Sequence, residues 1–232
     1  MSEKAKPRRW LRFSLRTFFL LVTVLCVSLG LYMKQKRDQQ FAVKTILDWN
    51  GKVRFDYEPS DRERAERALQ AVHAANLGSP PPVFVDRPPP GPVWLRRLLG
   101  DHFFADVVVV ELPYLKEKSV DLEILSNLTN VKRLRIGAIK DIDDQLKHLE
   151  RLQNLEVLGL GFSNVTDRGL QHVARLRNLK TLSLCYTQVT DTGLLHLSSL
   201  RELEHLEIQH TNVTDAGVER LRKQLPNFEI VP

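Results

Sequence analysis

Residues 146–217 read LKHLERLQNLEVLGLGFSNVTDRG LQHVARLRNLKTLSLCYTQVTDTG LLHLSSLRELEHLEIQHTNVTDAG, which is one 24-residue unit written three times without a gap. Apolar residues recur in register in every copy: Leu146/Leu170/Leu194, Leu149/Val173/Leu197, Leu152/Leu176/Leu200, Leu155/Leu179/Leu203, Leu158/Leu182/Leu206, Leu160/Leu184/Ile208 and Val165/Val189/Val213. A unit of this kind cannot bury its apolar face alone, so successive units must stack on one another. The pattern therefore predicts an array of stacked repeats.

Each unit is predicted to contain one strand and one helix. The strand is centred on Leu158-x-Leu160 or its equivalents, with both leucines pointing inward. Successive strands run parallel, and parallel strands need a crossover, which the segment Thr166–Leu176 supplies as a helix. Thr166 and Asp167 are predicted to cap and favour the start of that helix. Because helices pack about 8–10 Å apart and strands about 4.8 Å apart, the stack is expected to curve with its sheet on the concave side.

The period and the LxxLxL core resemble the leucine-rich repeat. The VTDxGL motif resembles that of bacterial membrane-anchored members of this family, and the resemblance covers Val107–Pro232, about half of the chain. It implies an α/β leucine-rich-repeat solenoid with parallel strands on the concave side and helices on the convex side. It also implies a binding or scaffolding role at the cell envelope and not catalysis.

The array is predicted to begin before the three regular copies. The spacing of the repeats leads from Val110 to Leu134 and then to Leu158, so a strand at Val107–Leu112 belongs to the same sheet. The intervening segment, Ser119–Gln145, is predicted to be an irregular first repeat. In this segment Asp-Ile-Asp-Asp replaces the Asn-Val-Thr-Asp-x-Gly motif and is shifted by one residue.

The leucine-rich-repeat domain is expected to span residues 93–232 and to differ from the regular copies at both ends. A truncated last repeat, 218–232, ends the array in a strand whose edge is open. An N-terminal cap, 93–106, is predicted to cover the other end with the apolar side chains of Trp94, Leu95, Leu98, Phe103 and Phe104.

The N-terminal region is predicted to anchor the chain in a membrane by a transmembrane helix. Thr17–Met33 is an uninterrupted run without a charge, flanked by Arg16 and Lys34 and at the short end of the transmembrane range. A cleaved signal peptide and a buried soluble helix are the alternatives, but no small-x-small cleavage site follows the run. We therefore predict an uncleaved signal anchor preceded by a basic cytoplasmic N-terminus, residues 1–16. Six basic residues precede the span and three follow it, so the positive-inside rule favours export of the repeats.

The net charge of +6 does not indicate a nucleic-acid-binding protein. Residues 1–40 carry nine lysines or arginines and two acidic residues, so the rest of the chain sums to −1. The basic excess flanks the apolar run and is interpreted as membrane-related charge, whereas a nucleic-acid-binding domain is expected to have a basic face of its own. Cys26 and Cys185 lie in the apolar run and in a repeat, and they do not make a disulfide framework.

Residues 38–77 are predicted to form a small helix-strand-helix unit. A helix at Asp38–Trp49 ends at Asn50-Gly51, a pair suited to a left-handed cap, and a strand at Val53–Tyr57 and a second helix follow. Residues 78–92 are proline-rich and are predicted to be an extended linker. A ligand for SH3-like domains is the functional alternative for this segment.

No catalytic site, cofactor or metal is predicted. His148, His172 and His196 recur at 24-residue spacing, but on successive helices they stand too far apart to share one ion at the roughly 2.0–2.1 Å of Zn–N bonds. Asp167 and its equivalents are interpreted as capping residues and not as calcium ligands, because the nonapeptide pattern of calcium-binding β-rolls is absent. The sequence has no Gly-rich phosphate loop and no HExxH, GxSxG or CxxC motif, so an enzyme is not expected.

The concave face of the sheet is the candidate binding surface. Side chains between and just after the inward leucines project from it, and the predicted binding residues are Tyr114, Arg133, Arg135, Phe162, Tyr186, His205, Glu207 and His210. Tyr114 and the residues at 162, 186 and 210 form one column, interrupted by Ala138, and such a column is typical of protein-binding hot spots. Small residues such as Gly159 and Ser183 predict a shallow groove between the arginines and Glu207. The alternative is a concave face that is merely soluble and has no binding role.

These features predict a membrane-anchored leucine-rich-repeat protein that acts as a protein-binding or scaffolding module at the cell envelope through its concave face. The expected partners are a protein or peptide ligand and the lipid bilayer, the latter through Thr17–Met33; nucleic acid is not expected. A structural envelope component that self-associates through its C-terminal sheet edge is the first alternative. A soluble cytoplasmic adaptor, in which the apolar run is a buried helix, is the second.

Overall fold

A single sheet, assembled in chain order, is the centre of the fold. The computed structural model describes residues 15–59, 63–64, 88–99, 102–103, 105–113, 120–137, 139, 141–225 and 229–231. Within these ranges the sheet has seven strands: β1 (Lys52–Phe55), β2 (Val107–Leu112), β3 (Arg133–Ile136), β4 (Val157–Gly159), β5 (Thr181–Ser183), β6 (His205–Glu207) and β7 (Glu229–Val231). Each strand neighbours the strands that precede and follow it in the sequence.

Strands β2 to β7 run parallel in the 24-residue register predicted from the repeats. One column of the sheet consists of Val110, Leu134, Leu158, Leu182, Leu206 and Ile230. The first five of these side chains are fully buried, because the inner face of a parallel sheet packs against its crossover segments. The solenoid, and its start at Val107, are thereby confirmed.

Short helices and 3-10 turns connect the strands and cover the inner face of the sheet. The α-helices of the described residues are α1 (Leu15–Asp48), α2 (Val93–Leu99), α3 (Ile142–Gln145), α4 (Asp167–Val173), α5 (Asp191–His196) and α6 (Asp215–Gln224). Segments of 3-10 helix lie at Leu122–Asn127, Leu146–Arg151 and Leu197–Ser199. Helix α4 is shorter than the predicted Thr166–Leu176, because the chain turns after Val173 to bring Leu176 into the core; the N–H of Leu176 donates to the carbonyl of Val173 at 2.9 Å.

Hydrogen bonds between threonine and aspartate link the helix N-termini of successive repeats. Thr190 caps α5, and its Oγ1 accepts from the backbone N–H of Thr192 at 3.2 Å. Asp167, one repeat earlier, accepts from the backbone N–H of Thr190 at 2.8 Å and from its hydroxyl at 2.6 Å. The same two bonds join two further pairs, Asp143 with Thr166 and Asp191 with Thr214. The threonine caps were predicted, whereas the reach of each acid into the next repeat was not.

The glycine of the repeat motif leaves room for this acid. A Cβ atom added to Gly193 would lie 2.3 Å from Oδ1 of Asp167, and one added to Gly169 would lie 2.4 Å from Oδ1 of Asp143. Neither distance is sterically possible without a shift of the carboxylate. Asp143 stands one full repeat before Asp167, so the acid of the irregular repeat keeps the register that the sequence analysis described as shifted. Its buried apolar residue, Ile142, and the start of α3 are displaced by one position.

Strand β1 and residues 39–48 of α1 cover the N-terminal end of the sheet. Strand β1 pairs antiparallel with β2, so the edge of β2 is not open. Ala42 and Ile46 of α1 and Phe55 of β1 are buried in the same core cluster as the leucines of the repeats. These residues come from the region 38–77, which was predicted to be a small helix-strand-helix unit that forms a stalk or packs on the repeats.

The residues expected to form the N-terminal cap differ in their burial. Phe103 is buried, Leu95 is half-buried, and Trp94 and Leu98 of α2 are largely exposed to solvent. Phe104 lies outside the described residues. Because β1 and α1 already cover the end of the sheet, Trp94 and Leu98 are not needed there.

Helix α1 is continuous, although the sequence predicted a membrane anchor and a separate short helix in this region. The chain divides into two compact units, residues 1–38 and residues 39–232, and the boundary falls within α1. Among the described residues one segment, Phe19–Asp48, is long and apolar enough to cross a membrane by length and composition. Its most apolar window has a mean hydropathy of 1.4 and is only 6% buried.

The C-terminal end of α1 has the left-handed cap predicted from the Asn50-Gly51 pair. Asn50 adopts a φ of 60°, and the N–H of Gly51 donates to the carbonyl of Ile46 at 2.9 Å. Almost all of the predicted second helix of the 38–77 region, and most of the linker 78–92, lie outside the described residues.

Candidate functional site

Side chains on the outer face of the sheet form two rows that cross the strands. The first row consists of Arg133, Val157, Thr181, His205 and Glu229, and the second of Arg135, Gly159, Ser183 and Glu207. Adjacent members of a row are about 4.8 Å apart, the spacing of paired strands. All of them are half-buried or exposed, because the inward leucines between them fill the core.

The middle of these rows is a groove of about 720 Å³, which we call the sheet-face groove. Its lining includes Lys52, Glu111, Arg133, Arg135, Gly159, Gly161, Phe162, Thr181, Ser183, Cys185 and Glu207. The two glycines keep the floor low; a Cβ atom added to Gly161 would lie 3.3 Å from the carbonyl oxygen of Cys185. Three of the predicted binding residues with charged side chains, Arg133, Arg135 and Glu207, therefore line one groove.

The charge of the sheet-face groove changes along its length. Arg133 and Arg135 of β3 and Lys52 of β1 place three cations at one end of the groove. Glu111 of β2 lies between them, as the neighbour of Lys52 and of Arg135 in the strand register. This end keeps a net positive charge because one acid faces three bases. Glu207 of β6 makes the other end negative, and the small neutral residues separate the two.

Three ring side chains from successive repeats stack beside the groove, and we call them the aromatic ladder: Phe162, Tyr186 and His210. The ring centroids of Phe162 and Tyr186 are 4.4 Å apart with planes at 13°, and those of Tyr186 and His210 are 4.2 Å apart at 23°. Phe162 is 52% and Tyr186 47% exposed, so the stacked rings present a continuous apolar surface to solvent. Tyr114, the remaining member of the predicted column, and Ala138, which was predicted to interrupt it, lie outside the described residues.

Each ring of the ladder is carried on a left-handed backbone. The φ angles of Phe162, Tyr186 and His210 are 61°, 58° and 55°, in a region that residues other than glycine seldom adopt. The N–H of Phe162 donates to the carbonyl of Cys185, and that of Tyr186 to the carbonyl of Gln209, both at 2.8 Å. For Phe162 and Tyr186, the next repeat thus holds the turn that points the ring outward.

A hydroxyl group after each ladder residue closes the same turn. Ser163 Oγ donates to the carbonyl of Leu160 at 2.6 Å, and Thr187 Oγ1 donates to the carbonyl of Leu184 at 2.7 Å. Thr211 repeats the bond in the third copy. These residues were not predicted from the sequence, although a serine or threonine at 24-residue spacing directly after the ladder position is a visible signal.

Polar side chains interact with one another at the acidic end of the groove. Nδ1 of His205 lies 3.2 Å from Oε2 of Glu229, which adds a second carboxylate to this end. The free thiol of Cys185 contacts Oε1 of Gln209 and lies 3.9 Å from Oε2 of Glu207. The predicted binding residues His205 and Glu207 therefore lie side by side on β6.

A series of asparagines ahead of the strands was also missed by the sequence analysis. The Nδ2 of Asn154 donates to the carbonyl of Thr129 at 3.1 Å, and that of Asn178 to the carbonyl of Gln153 at 2.7 Å. Asn130 begins the same 24-residue series. Because each of these two side chains reaches back one repeat, Asn154 and Asn178 link the loops that lead into β4 and β5 to the preceding repeat.

The histidine series lies on the helix side of the solenoid and not in the groove. Nδ1 of His172 is 2.7 Å from Oε1 of Glu150, and Nη1 of Arg175 is 2.7 Å from Oε2 of the same carboxylate. Burial alone raises the pKa of Glu150, but the hydrogen bonds from His172 and Arg175 outweigh it and hold that pKa below its ordinary value. His148 and His196 are half-buried like His172. In the part of the chain that the structure describes, no three His, Cys, Asp or Glu residues are grouped so as to hold a metal ion.

Comparison with known proteins identifies the repeats. Residues 199–221 match the family model described as Leucine Rich repeat. This match agrees with the leucine-rich-repeat fold that the parallel 24-residue register of β2–β7 defines, and the apolar N-terminal helix is a candidate membrane anchor. No curated protein sequence matches the chain.

Several solved structures are similar to the chain over about half of its length. An internalin from Listeria monocytogenes is 24% identical, with a TM-score of 0.41 over 48% of this chain and 31% of the other. A leucine-rich-repeat protein from Leptospira interrogans is 19% identical, with a TM-score of 0.38 over 62% of this chain and 40% of the other. The leucine-rich-repeat ectodomain of a receptor kinase from Arabidopsis thaliana is 16% identical, with a TM-score of 0.37 over 54% of this chain and 68% of the other. The chain spans less than half the length of the first two.

Proposed function

We propose that this protein is a membrane-anchored leucine-rich-repeat protein that binds an extended protein or peptide segment in the sheet-face groove, at the cell envelope. The observation that carries the proposal is the aromatic ladder, a stack of half-exposed rings beside a groove with opposite charges at its two ends. Solenoid repeats in general use the extended concave surface for binding.

The aromatic ladder supplies the apolar contact in this proposal. Aromatic side chains dominate protein-binding hot spots because they bury a large area and have few rotamers to lose on binding. In Phe162 and Tyr186 the hydrogen-bonded left-handed turn and the stacked rings hold the surface in place before a ligand arrives. Such preorganisation lowers the entropic cost of binding.

The charges of the groove define the polarity of the proposed ligand. Arg135 and Glu207 lie in one row and are separated by the three strand spacings from β3 to β6, which is about 14 Å. An extended peptide rises about 3.3 Å per residue, so an acidic and a basic side chain about four residues apart reach both ends. We therefore propose a ligand whose acidic residue lies at β3 and whose basic residue lies at β6.

A displayed library of random peptides, selected on the full chain held in lipid nanodiscs, tests this proposal. Selected peptides are expected to carry an aromatic or aliphatic residue between an acid and a base at the stated spacing. Phe162→Asn combined with Tyr186→Asn removes the rings but tolerates the left-handed backbone. This variant is expected to weaken binding by about 30-fold, the equivalent of one hot spot of about 2 kcal/mol. Fluorescence anisotropy of a labelled peptide measures the change.

Leu195→Asn is the matched control, because Leu195 is an exposed apolar residue of α5 on the helix side. It is expected to leave peptide affinity unchanged. A second pair of changes, Arg135→Glu with Glu207→Arg, is expected to select peptides with the acid and base exchanged. If circular dichroism shows that the Phe162→Asn/Tyr186→Asn variant is folded and its affinity equals that of the parent protein, the proposal that the groove binds the peptide is contradicted.

Self-association through the C-terminal sheet edge stays a second candidate, because β7 is the last strand in the sheet order and pairs with β6 on one side. The edge is short, three residues with the exposed Glu229 at its start, and short charged edges disfavour strand addition. Ile230→Pro blocks pairing at this edge. If the edge drives assembly, the mass of the full chain in detergent is expected to rise with concentration and to become constant in this variant. A constant mass in the parent protein contradicts this candidate.

A further inference from the structure

We propose that helix α2 lies against the lipid bilayer in which the anchor is inserted, with Val93, Trp94 and Leu98 at the level of the lipid headgroups. The inference rests on one part of the proposed function, the membrane anchoring through Thr17–Met33. It is independent of what the sheet-face groove binds.

Helix α2 exposes the apolar residues that the sequence analysis expected to be buried. Val93 is 57%, Trp94 69% and Leu98 74% exposed, and no residue of this helix is buried. Trp94 and Leu98 are the most exposed large apolar side chains among the described residues of the unit 39–232. Because neighbouring apolar side chains on one short helix are costly to leave in water, this cluster marks a contact surface.

The chemistry of the helix is that of a membrane interface. Tryptophan prefers the boundary between headgroups and acyl chains, where its apolar ring and its N–H are both satisfied. Arg97, an exposed residue in the last turn of the same helix, supplies a cation for lipid phosphates. The residues that directly follow the anchor include two more exposed cations, Lys34 and Arg37, whereas Lys36 is buried. Together these charges favour a bilayer that contains anionic lipid.

The chain keeps α2 within reach of that bilayer. Nε2 of Gln40 donates to the carbonyl of Leu99, the last residue of α2, at 3.4 Å. Gln40 follows Met33, the end of the apolar run, by seven residues, and seven residues reach at most about 25 Å. The exposed Phe41 adds a further aromatic residue next to Gln40. A soluble partner is not tethered in this way, so the bilayer is the occupant that each chain itself brings close.

Tryptophan fluorescence of the full chain in vesicles tests this inference. The vesicles contain phosphatidylcholine and phosphatidylglycerol at about 3:1, with or without bromine on the acyl chains. The chain has three tryptophans, Trp10, Trp49 and Trp94. The difference between the emission of the parent protein and that of Trp94→Phe gives the emission of Trp94. This emission is expected to be blue-shifted and to be quenched by the brominated lipid. The emission lost in Trp49→Phe is expected to be insensitive to it, because Trp49 packs against the protein core.

A charge placed in the apolar cluster supplies a second readout with Trp94 still present. Leu98→Glu is expected to move the emission of Trp94 toward that of water-exposed indole and to reduce its quenching severalfold. Leu195→Glu introduces the same charge at an exposed apolar position of α5 and is expected to change neither property. Circular dichroism checks that both variants keep their helices.

Flotation of the chain with vesicles after a carbonate wash separates this inference from the anchoring on which it rests. If the chain floats but Trp94 has the emission of exposed indole, anchoring stands and the bilayer contact is overturned. Blue-shifted emission that brominated lipid does not quench shows that protein covers the helix, and this also overturns the inference. Loss of flotation overturns anchoring and the bilayer contact together.

Discussion

Asp167 is the side chain through which two successive repeats are joined at their helix ends. Its carboxylate accepts two hydrogen bonds from Thr190, at 2.8 Å from the backbone N–H and at 2.6 Å from the hydroxyl. Asp167→Ala leaves this half-buried N–H without its acceptor, and we expect the free energy of unfolding to fall by about 1–3 kcal/mol. Urea denaturation measures the loss.

Asp215 provides the matched control for that substitution. It starts α6 as Asp167 starts α4, so both acids have the same favourable position at a helix N-terminus. Within the described residues, however, Asp215 accepts no hydrogen bond from a threonine of another repeat. We expect Asp215→Ala to cost about 0.5 kcal/mol or less. Equal losses in the two variants would show that the bonds between repeats contribute nothing to stability.

Asp191 is expected to make the stability of the solenoid depend on pH. The backbone N–H of Thr214, and then its hydroxyl, hold the pKa of Asp191 below its ordinary value. A carboxyl group whose pKa is lower in the folded state adds stability above its unfolded pKa of about 4, and this stability is lost as the pH falls through the folded value. Asp191→Asn removes the titration. The difference in unfolding free energy between parent and variant is therefore expected to be largest near about pH 7 and to shrink below about pH 4.

Urea denaturation at a series of pH values provides this measurement. The curve of the variant is expected to be flatter than that of the parent protein in the acidic range. A difference that stays constant, or that grows on acidification, would contradict the assigned role of the carboxylate.

At the scale of the element, a threonine, an aspartate and a glycine together determine the structure of the helix N-terminus in each repeat. Alanine is favoured over glycine within a helix by about 1 kcal/mol, so propensity alone predicts that Gly193→Ala stabilises α5. The added Cβ would lie 2.3 Å from Oδ1 of Asp167 and 3.1 Å from a methyl group of Val189. We expect the displaced carboxylate to lose its bonds to Thr190 and the substitution to destabilise the protein by about 1–3 kcal/mol.

A double-mutant cycle identifies the cause of this loss. In the Asp167→Ala background the carboxylate is gone, and Gly193→Ala is expected to be neutral or stabilising by up to about 1 kcal/mol. Additive losses in the double variant would mean that the glycine serves a purpose other than making room for Asp167.

The sequence predicted the elements of the array well where a contact recurs in every repeat. Leu158 and Leu182 must meet because their strands are equivalent, so β2–β7 and their register follow from spacing alone. The alignment of Phe162 with Tyr186 follows in the same way. Their stacking distance and left-handed backbone do not, because these depend on hydrogen bonds that carbonyl groups of the next repeat accept.

At the scale of the whole molecule, the orientation of the chain in the membrane stays a prediction with a direct test. Six basic residues precede the apolar run and three follow it, which favours a cytoplasmic N-terminus and exported repeats. An alkaline phosphatase reporter fused to the C-terminus of the full chain is therefore expected to be active, because the enzyme needs export to fold. Changing Arg8, Arg9, Arg12 and Arg16 to Gln leaves two basic residues before the span and is expected to reduce reporter activity. Arg201→Gln, far from the span, is the control that should leave activity unchanged.

The sequence by itself determined the repeat, its strand register, its threonine caps and the column of rings. Each of these features recurs at a fixed interval and requires only that equivalent residues of successive repeats lie next to one another. The tertiary structure alone decided how the array begins. Ala42, Ile46 and Phe55 cover the first strand of the array through contacts that occur once and have no period to reveal them. Since that end is already covered, Trp94 and Leu98 stay exposed, although their apolar character alone predicts burial. Lys52 likewise joins the groove only because β1 pairs with a strand more than fifty residues away.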